Sequence, residues 1–118
     1  MIQITKSTKQ IQEDTCRKYQ ADCVLPNSEA KVGIALNTLH KEPLNALRHP
    51  AKVDTCGWYI WGGEELSKAN DFFQPLHVAH LTEKCPEIVP YLGLAPGWRV
   101  LLVGDYVDVW YDEALLNV

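Results

Sequence analysis

Apolar and polar positions alternate with changing period along this chain, and the changes mark out its elements. Ile2-Gln3-Ile4 alternates as a short strand. Ser7 followed by Gln10 forms the capping-box spacing that opens a helix. Ile11, Cys16, Tyr19 and Cys23 would line one side of that helix, and Pro26-Asn27-Ser28 would break it. Lys31 to Leu36 alternates loosely up to Asn37 and predicts a strand. His40 to Pro50 carries two prolines and reads as a loop with a short helical turn. Cys56 to Trp61 is a strand of aromatic and β-branched residues, ended by Gly62-Gly63. Glu64 to Asn70 predicts two helical turns, with both glutamates favoured at the N-terminus by the helix dipole. Leu81, Cys85, Ile88 and Leu92 recur at helical spacing and predict a buried face. Pro86 and Pro90 split that segment into short helices.

The C-terminal pattern is the sharpest. Trp98 to Val103 and Tyr106 to Tyr111 flank Gly104-Asp105, and a glycine in the first turn position suits a type II′ hairpin. That turn pairs Val103 with Tyr106 and sets Arg99 opposite Trp110. One face then holds Trp98, Val100, Leu102, Val107, Val109 and Tyr111, all apolar and therefore expected in the core. The other holds Arg99, Leu101, Val103, Tyr106, Asp108 and Trp110, where Arg99 can stack on Trp110 and brace Asp108. Together these elements predict one α+β domain over residues 1–118, with a mixed or mostly antiparallel sheet and short helices on one side.

Composition adds limits. A chain of 118 residues, 47% hydrophobic, can build a core without staples. The net charge of −4 carries no basic footprint for nucleic acid. The charge is uneven: residues 1–56 hold eight basic and six acidic side chains, residues 57–118 three and nine. An acidic C-terminal half steers basic partners, and it also serves plain solubility. No apolar run opens the chain and none spans a bilayer, so a cytoplasmic protein without membrane contact is expected. In that compartment Cys16, Cys23, Cys56 and Cys85 are free thiols, and no C-x-x-C spacing suggests zinc.

Candidate chemistry is sparse. His77 and His80, with Asp71 upstream and Cys85 downstream, could hold a metal or could be hydrogen-bonded structural histidines. Their spacing departs from the H-E-x-x-H pattern, and Pro75 disturbs a regular helix there. Cys56 or Cys85 could pair with a histidine as a nucleophile, but no local signature favours this over a buried thiol. Glu64 and Glu65 suit general acid–base work, a helix N-terminus or contact with a basic partner. No catalytic residue, metal or cofactor is assigned.

All four tryptophans fall in Gly57-Trp58-Tyr59-Ile60-Trp61-Gly62-Gly63-Glu64, Pro96-Gly97-Trp98-Arg99 and Asp108-Val109-Trp110-Tyr111-Asp112. With Pro43 to His49, Phe72 to Leu81 and Cys85 to Leu92, these segments resemble the immunity protein 33 family over about residues 24–118. Residues 1–23 form an N-terminal extension outside that resemblance. The resemblance implies a small α+β cytosolic protein of bacterial polymorphic toxin systems, which binds a cognate toxin and blocks it. It designates no catalytic residues. Aromatic anchors within a polar rim suit such an interface, and the expected contact set is Trp61, Glu64, Glu65, Asp108 and Trp110. The competing expectations are a small metal- or ligand-binding hydrolase using His77 and His80, and a housekeeping interaction domain. The oligomeric state is open.

Overall fold

The run Thr-Cys-Gly-Trp-Tyr-Ile-Trp-Gly has no polar face, and the chain buries it on both sides. The computed structural model describes residues 6–118, so the Ile2–Ile4 strand lies outside the described residues. Its strands are β1 (Lys31–Ile34), β2 (Leu44–Arg48), β3 (Thr55–Gly62), β4 (Gln74–His77), β5 (Trp98–Val103) and β6 (Tyr106–Tyr111). They form one 6-stranded sheet in the order β4-β1-β3-β2-β5-β6. β1 and β3 pair in parallel and every other neighbouring pair is antiparallel, which is the mixed α+β architecture expected.

The main core lies on one face of this sheet. Val32, Ile34, Leu44, Ala46, Trp58, Ile60 and Val100 point into it from the strands. Helix α1 (Thr8–Lys18), helix α2 (Leu81–Lys84) and a 3-10 turn (Pro86–Tyr91) cover it. Leu81, Cys85, Ile88 and Leu92 are all buried, so the helical spacing picked out the right face; Pro86 divides the segment as expected, whereas Pro90 lies within the 3-10 turn and does not split it. A smaller cluster of Ala35, Leu47, Trp61 and Leu115 forms on the opposite face, with Tyr59, Phe72 and Phe73 against it.

Three expectations about the extent of elements are corrected. The His40–Pro50 segment is not a loop: it contains β2, a central strand. Asn45 and Arg48 hide its alternation, and although β3, the next strand, pairs with one side of β2, its other partner is β5, far along the chain. Residues 64–70 form no helix. Leu66 is 50% exposed, so a helix there would have no apolar face to bury. Helix α1 begins at the predicted cap, where Ser7 Oγ accepts the Gln10 N–H at 3.1 Å, but it ends at Lys18. Gln20 then turns the chain with φ 56°. The buried side is Gln12 and Cys16, with Tyr19 half-buried, while Ile11 is exposed and Cys23 lies beyond the helix.

The hairpin keeps its predicted register, Val103 with Tyr106 and Arg99 with Trp110, around Gly104 at φ 55°. Trp98, Val100, Leu102 and Val109 pack on the core as expected. Val107 and Tyr111 do not: both are exposed, because β6 is an edge strand.

Two glycines explain why tryptophan and glycine adjoin. Gly57 has φ 98°, and a Cβ there would strike the His49 carbonyl oxygen. Gly97 has φ 102°, and a Cβ would enter the Tyr111 ring. Each lets the backbone close up beside a tryptophan, at a conformation other residues rarely adopt.

Candidate functional site

The face of the sheet opposite the helices is built in rows. Trp61, Asn45, Leu101 and Asp108 are aligned across β3, β2, β5 and β6. The next row runs through Gly33, Tyr59, Leu47, Arg99 and Trp110. With strands about 4.8 Å apart, Trp61 and Asp108 stand roughly 14 Å apart on one surface.

Half of this surface is covered. Phe73 lies edge-on against Tyr59 at 5.1 Å and against Trp61 at 6.2 Å, and Phe72 meets it edge-on at 4.8 Å. Leu115, from the 3-10 turn Glu113–Leu116, closes the cluster. Trp61 is therefore 4% exposed, a core residue before it can be an anchor. Its Nε1 is buried with no hydrogen-bond partner among the described residues. Beside it a pocket of about 300 Å³ is lined by His49, Tyr59, Trp61, Leu66, Phe73 and Val118, among others. His49 Nδ1 lies 2.8 Å from the Leu115 carbonyl, which can only accept, so Nδ1 donates there.

The other half is open. On β5 and β6 the face presents Arg99, Val103, Tyr106, Asp108 and Trp110, with Tyr106 60% and Trp110 36% exposed. The Arg99 guanidinium sits 5.5 Å over the Trp110 ring, as the register requires. Its ion pair goes to Asp112 at 3.2 Å, not to Asp108. Both aspartates are diagonal to Arg99, and Asp112 is held in place because its other oxygen caps Ala114 N–H at 3.1 Å. Asp108 is half-buried and unpaired among the described residues, and so is free to meet a donor from outside.

Of the expected contact residues, Asp108 and Trp110 are neighbours on one face of β6 and Trp61 shares that face under its lid. Glu64 and Glu65 are exposed where the chain leaves β3, beside Thr38 and Lys41 and away from β6. Asn45 Nδ2 fixes that exit by donating to the Gly63 carbonyl at 2.8 Å. The set is thus one open patch, one covered aromatic and one separate acidic corner.

Three side chains that matter here carry no sequence signal of their own. Arg48 is 2% exposed in the core. Its Nε donates to the Cys56 carbonyl at 3.0 Å, and its Nη1 lies 2.7, 3.2 and 2.8 Å from the Val24, Leu92 and Leu94 carbonyls. It also stacks 5.7 Å from the Trp58 ring, whose Nε1 donates to the Leu92 carbonyl at 3.0 Å. Desolvation pulls its pKa down. His49 and Asp112 become visible only as partners of groups distant in sequence.

The histidine pair is exposed, with ring centroids 6.0 Å apart. Cys85, its proposed neighbour, is 1% exposed in the core, and burial pushes its thiol up to about 11. Among the described residues no group of three or more His, Cys, Asp or Glu could hold a metal. No helix among them is long and apolar enough to cross a membrane.

Fold and surface together define a small α+β protein with a mixed sheet, helices on one face, and an aromatic hairpin left open on the other. The chain belongs to the Imm33-like domain family, whose model matches residues 11–112 and so takes in most of α1. No curated protein and no solved structure matches the chain.

Proposed function

We propose that this chain is a cytoplasmic immunity protein that binds a cognate bacterial toxin and neutralises it by occlusion, using the open face of the C-terminal hairpin. Family membership supports the immunity role. The observation that carries the surface is the exposed apolar area on that face, Val103, Tyr106 and Trp110, with Val107 and Tyr111 exposed on the reverse side of the same hairpin. A monomer gains nothing from holding so many large apolar groups in water, and contiguous exposed patches of this kind mark interaction sites. Arg99, Asp108 and Asp112 give the patch a polar rim, and Trp110 is the anchor. Glu64 and Glu65 form a second acidic contact for a basic partner. β6 is also a sheet edge, able to accept a strand from the partner.

The test is co-expression with candidate toxins from the same genome. The wild-type chain should restore growth and co-purify with one of them. Trp110→Ala and Asp108→Lys should lose both effects while keeping wild-type circular dichroism. Protection that survives both substitutions would remove this hairpin from the interface, and absence of protection against every candidate would remove the immunity role.

A further inference from the structure

Cys56 and Cys85 are buried singly, but Cys16 and Cys23 meet. Helix α1 ends just after Cys16, Gln20 reverses the chain, and the Ala21 N–H donates to the Cys16 carbonyl at 2.9 Å. Cys23 then pairs with Leu94 in an isolated bridge, next to the Val24 N–H that donates to the Gly93 carbonyl at 2.8 Å. Gly93 is the floor of this junction. A Cβ on it would sit 3.2 Å from the sulfur of Cys16 and 3.2 Å from the sulfur of Cys23. The missing side chain is what lets both thiols occupy one spot.

The two sulfurs differ in access. Cys16 is 2% exposed, whereas Cys23 is exposed at the surface. Burial first, and then the adjoining Cys23 thiol, push the Cys16 thiol up to about 12, while the nearby charge of Arg48 acts the other way. An accessible thiol beside a sheltered one is the arrangement of a reacting and a resolving cysteine.

We propose that Cys16 and Cys23 form an oxidisable dithiol, a modification site that takes a peroxide and closes to a disulfide. The Cys23 thiolate attacks one peroxide oxygen, the O–O bond breaks, and the departing hydroxide takes up the Cys23 proton as water. The sulfur of Cys16 then attacks the resulting sulfenic sulfur. The S–S bond forms, the S–O bond breaks, and a second water leaves with the Cys16 proton. Both thiols are oxidised by one electron each and one peroxide is reduced to two waters. The disulfide would latch the end of α1 to the Cys23–Leu94 bridge.

Trypsin offers a direct test, because Arg17 and Lys18 lie between the two cysteines. The reduced full chain is treated with hydrogen peroxide, alkylated and digested without reductant. The expected product joins the peptide Gln10–Arg17 to the peptide Tyr19–Lys31 and separates on adding dithiothreitol. Two of the four thiols should disappear from a thiol titration. Cys23→Ser, a surface change that leaves the core intact, should abolish the linked product and leave Cys16 reduced. Persistence of all four thiols would overturn the proposal. So would oxidation of Cys23 to sulfinic or sulfonic acid with Cys16 still free, or a disulfide between two copies of the chain.

Discussion

Arg48 enters the core as a cation with no carboxylate paired to it among the described residues. Backbone carbonyls replace the anion, four of them within 3.2 Å. They come from three separate segments, so one side chain ties the chain after α1, the start of β3 and the end of the 3-10 turn to β2. Arg48→Met should destabilise the protein by about 3 kcal/mol or more, since each stranded buried carbonyl costs on the order of 1–3 kcal/mol. Urea denaturation checks this, and a loss below about 1 kcal/mol would mean that desolvation of the guanidinium cancels its bonds. The buried thiols set a second expectation. Unfolded, Cys16 and Cys85 ionise near 9.0; folded, they stay protonated to about 12 and about 11. Above pH 9 the unfolded state therefore binds fewer protons, and stability must fall as pH rises through that window. The urea midpoint should drop from about pH 8 to about pH 11, less steeply in Cys85→Ser. A flat profile in the wild type would show that the thiols ionise alike in both states.

Elements differ in how far their own residues account for them. Helix α1 is local in origin: its cap, its first-turn geometry and its basic last turn are all written within residues 7–18. Ser7→Ala should cost about 1 kcal/mol, felt as faster amide exchange in α1 with the sheet amides unchanged. The hairpin is local too, because a two-residue turn around Gly104 settles the register of every pair above it. β3 is different. Gly57 holds φ 98° against the His49 carbonyl, so Gly57→Ala should cost on the order of 1–3 kcal/mol from backbone strain alone, and the clash adds to it. Thermal unfolding would read this directly, and an unchanged midpoint would mean that β2 can move away from β3.

On the scale of the whole molecule, the sheet divides labour between its faces. One side is the core under the helices, and the other is half lid and half open hairpin. This separates two tryptophans that the sequence treats alike. Trp61→Ala should cost about 3–5 kcal/mol and act through stability, because its ring fills the covered cluster. Trp110→Ala should leave the fold within about 1 kcal/mol of wild type, yet weaken partner binding by about 2 kcal/mol, roughly 30-fold. Calorimetry on the purified complex together with urea denaturation of the free chain distinguishes the two. Equal stability losses would merge their roles.

Periodicity and turn chemistry alone determined the capped start of α1, the buried face from Leu81 to Leu92, strand β3, and the hairpin with Arg99 against Trp110. These depend on neighbours within about a dozen residues, where apolar spacing and glycine or proline placement act directly. Strand β2 was hidden because Asn45 and Arg48 interrupt its pattern, and their partners, Gly63 and the carbonyls around Arg48, are distant in sequence. The helix expected over 64–70 failed for the converse reason: good local signals had no surface to bury. Exposure was decided last. Trp61 and Trp110 both sit on strands, on the same sheet face. Only the path of residues 63–73 and the C-terminal turn, which cover one and miss the other, made the first a core residue and left the second exposed.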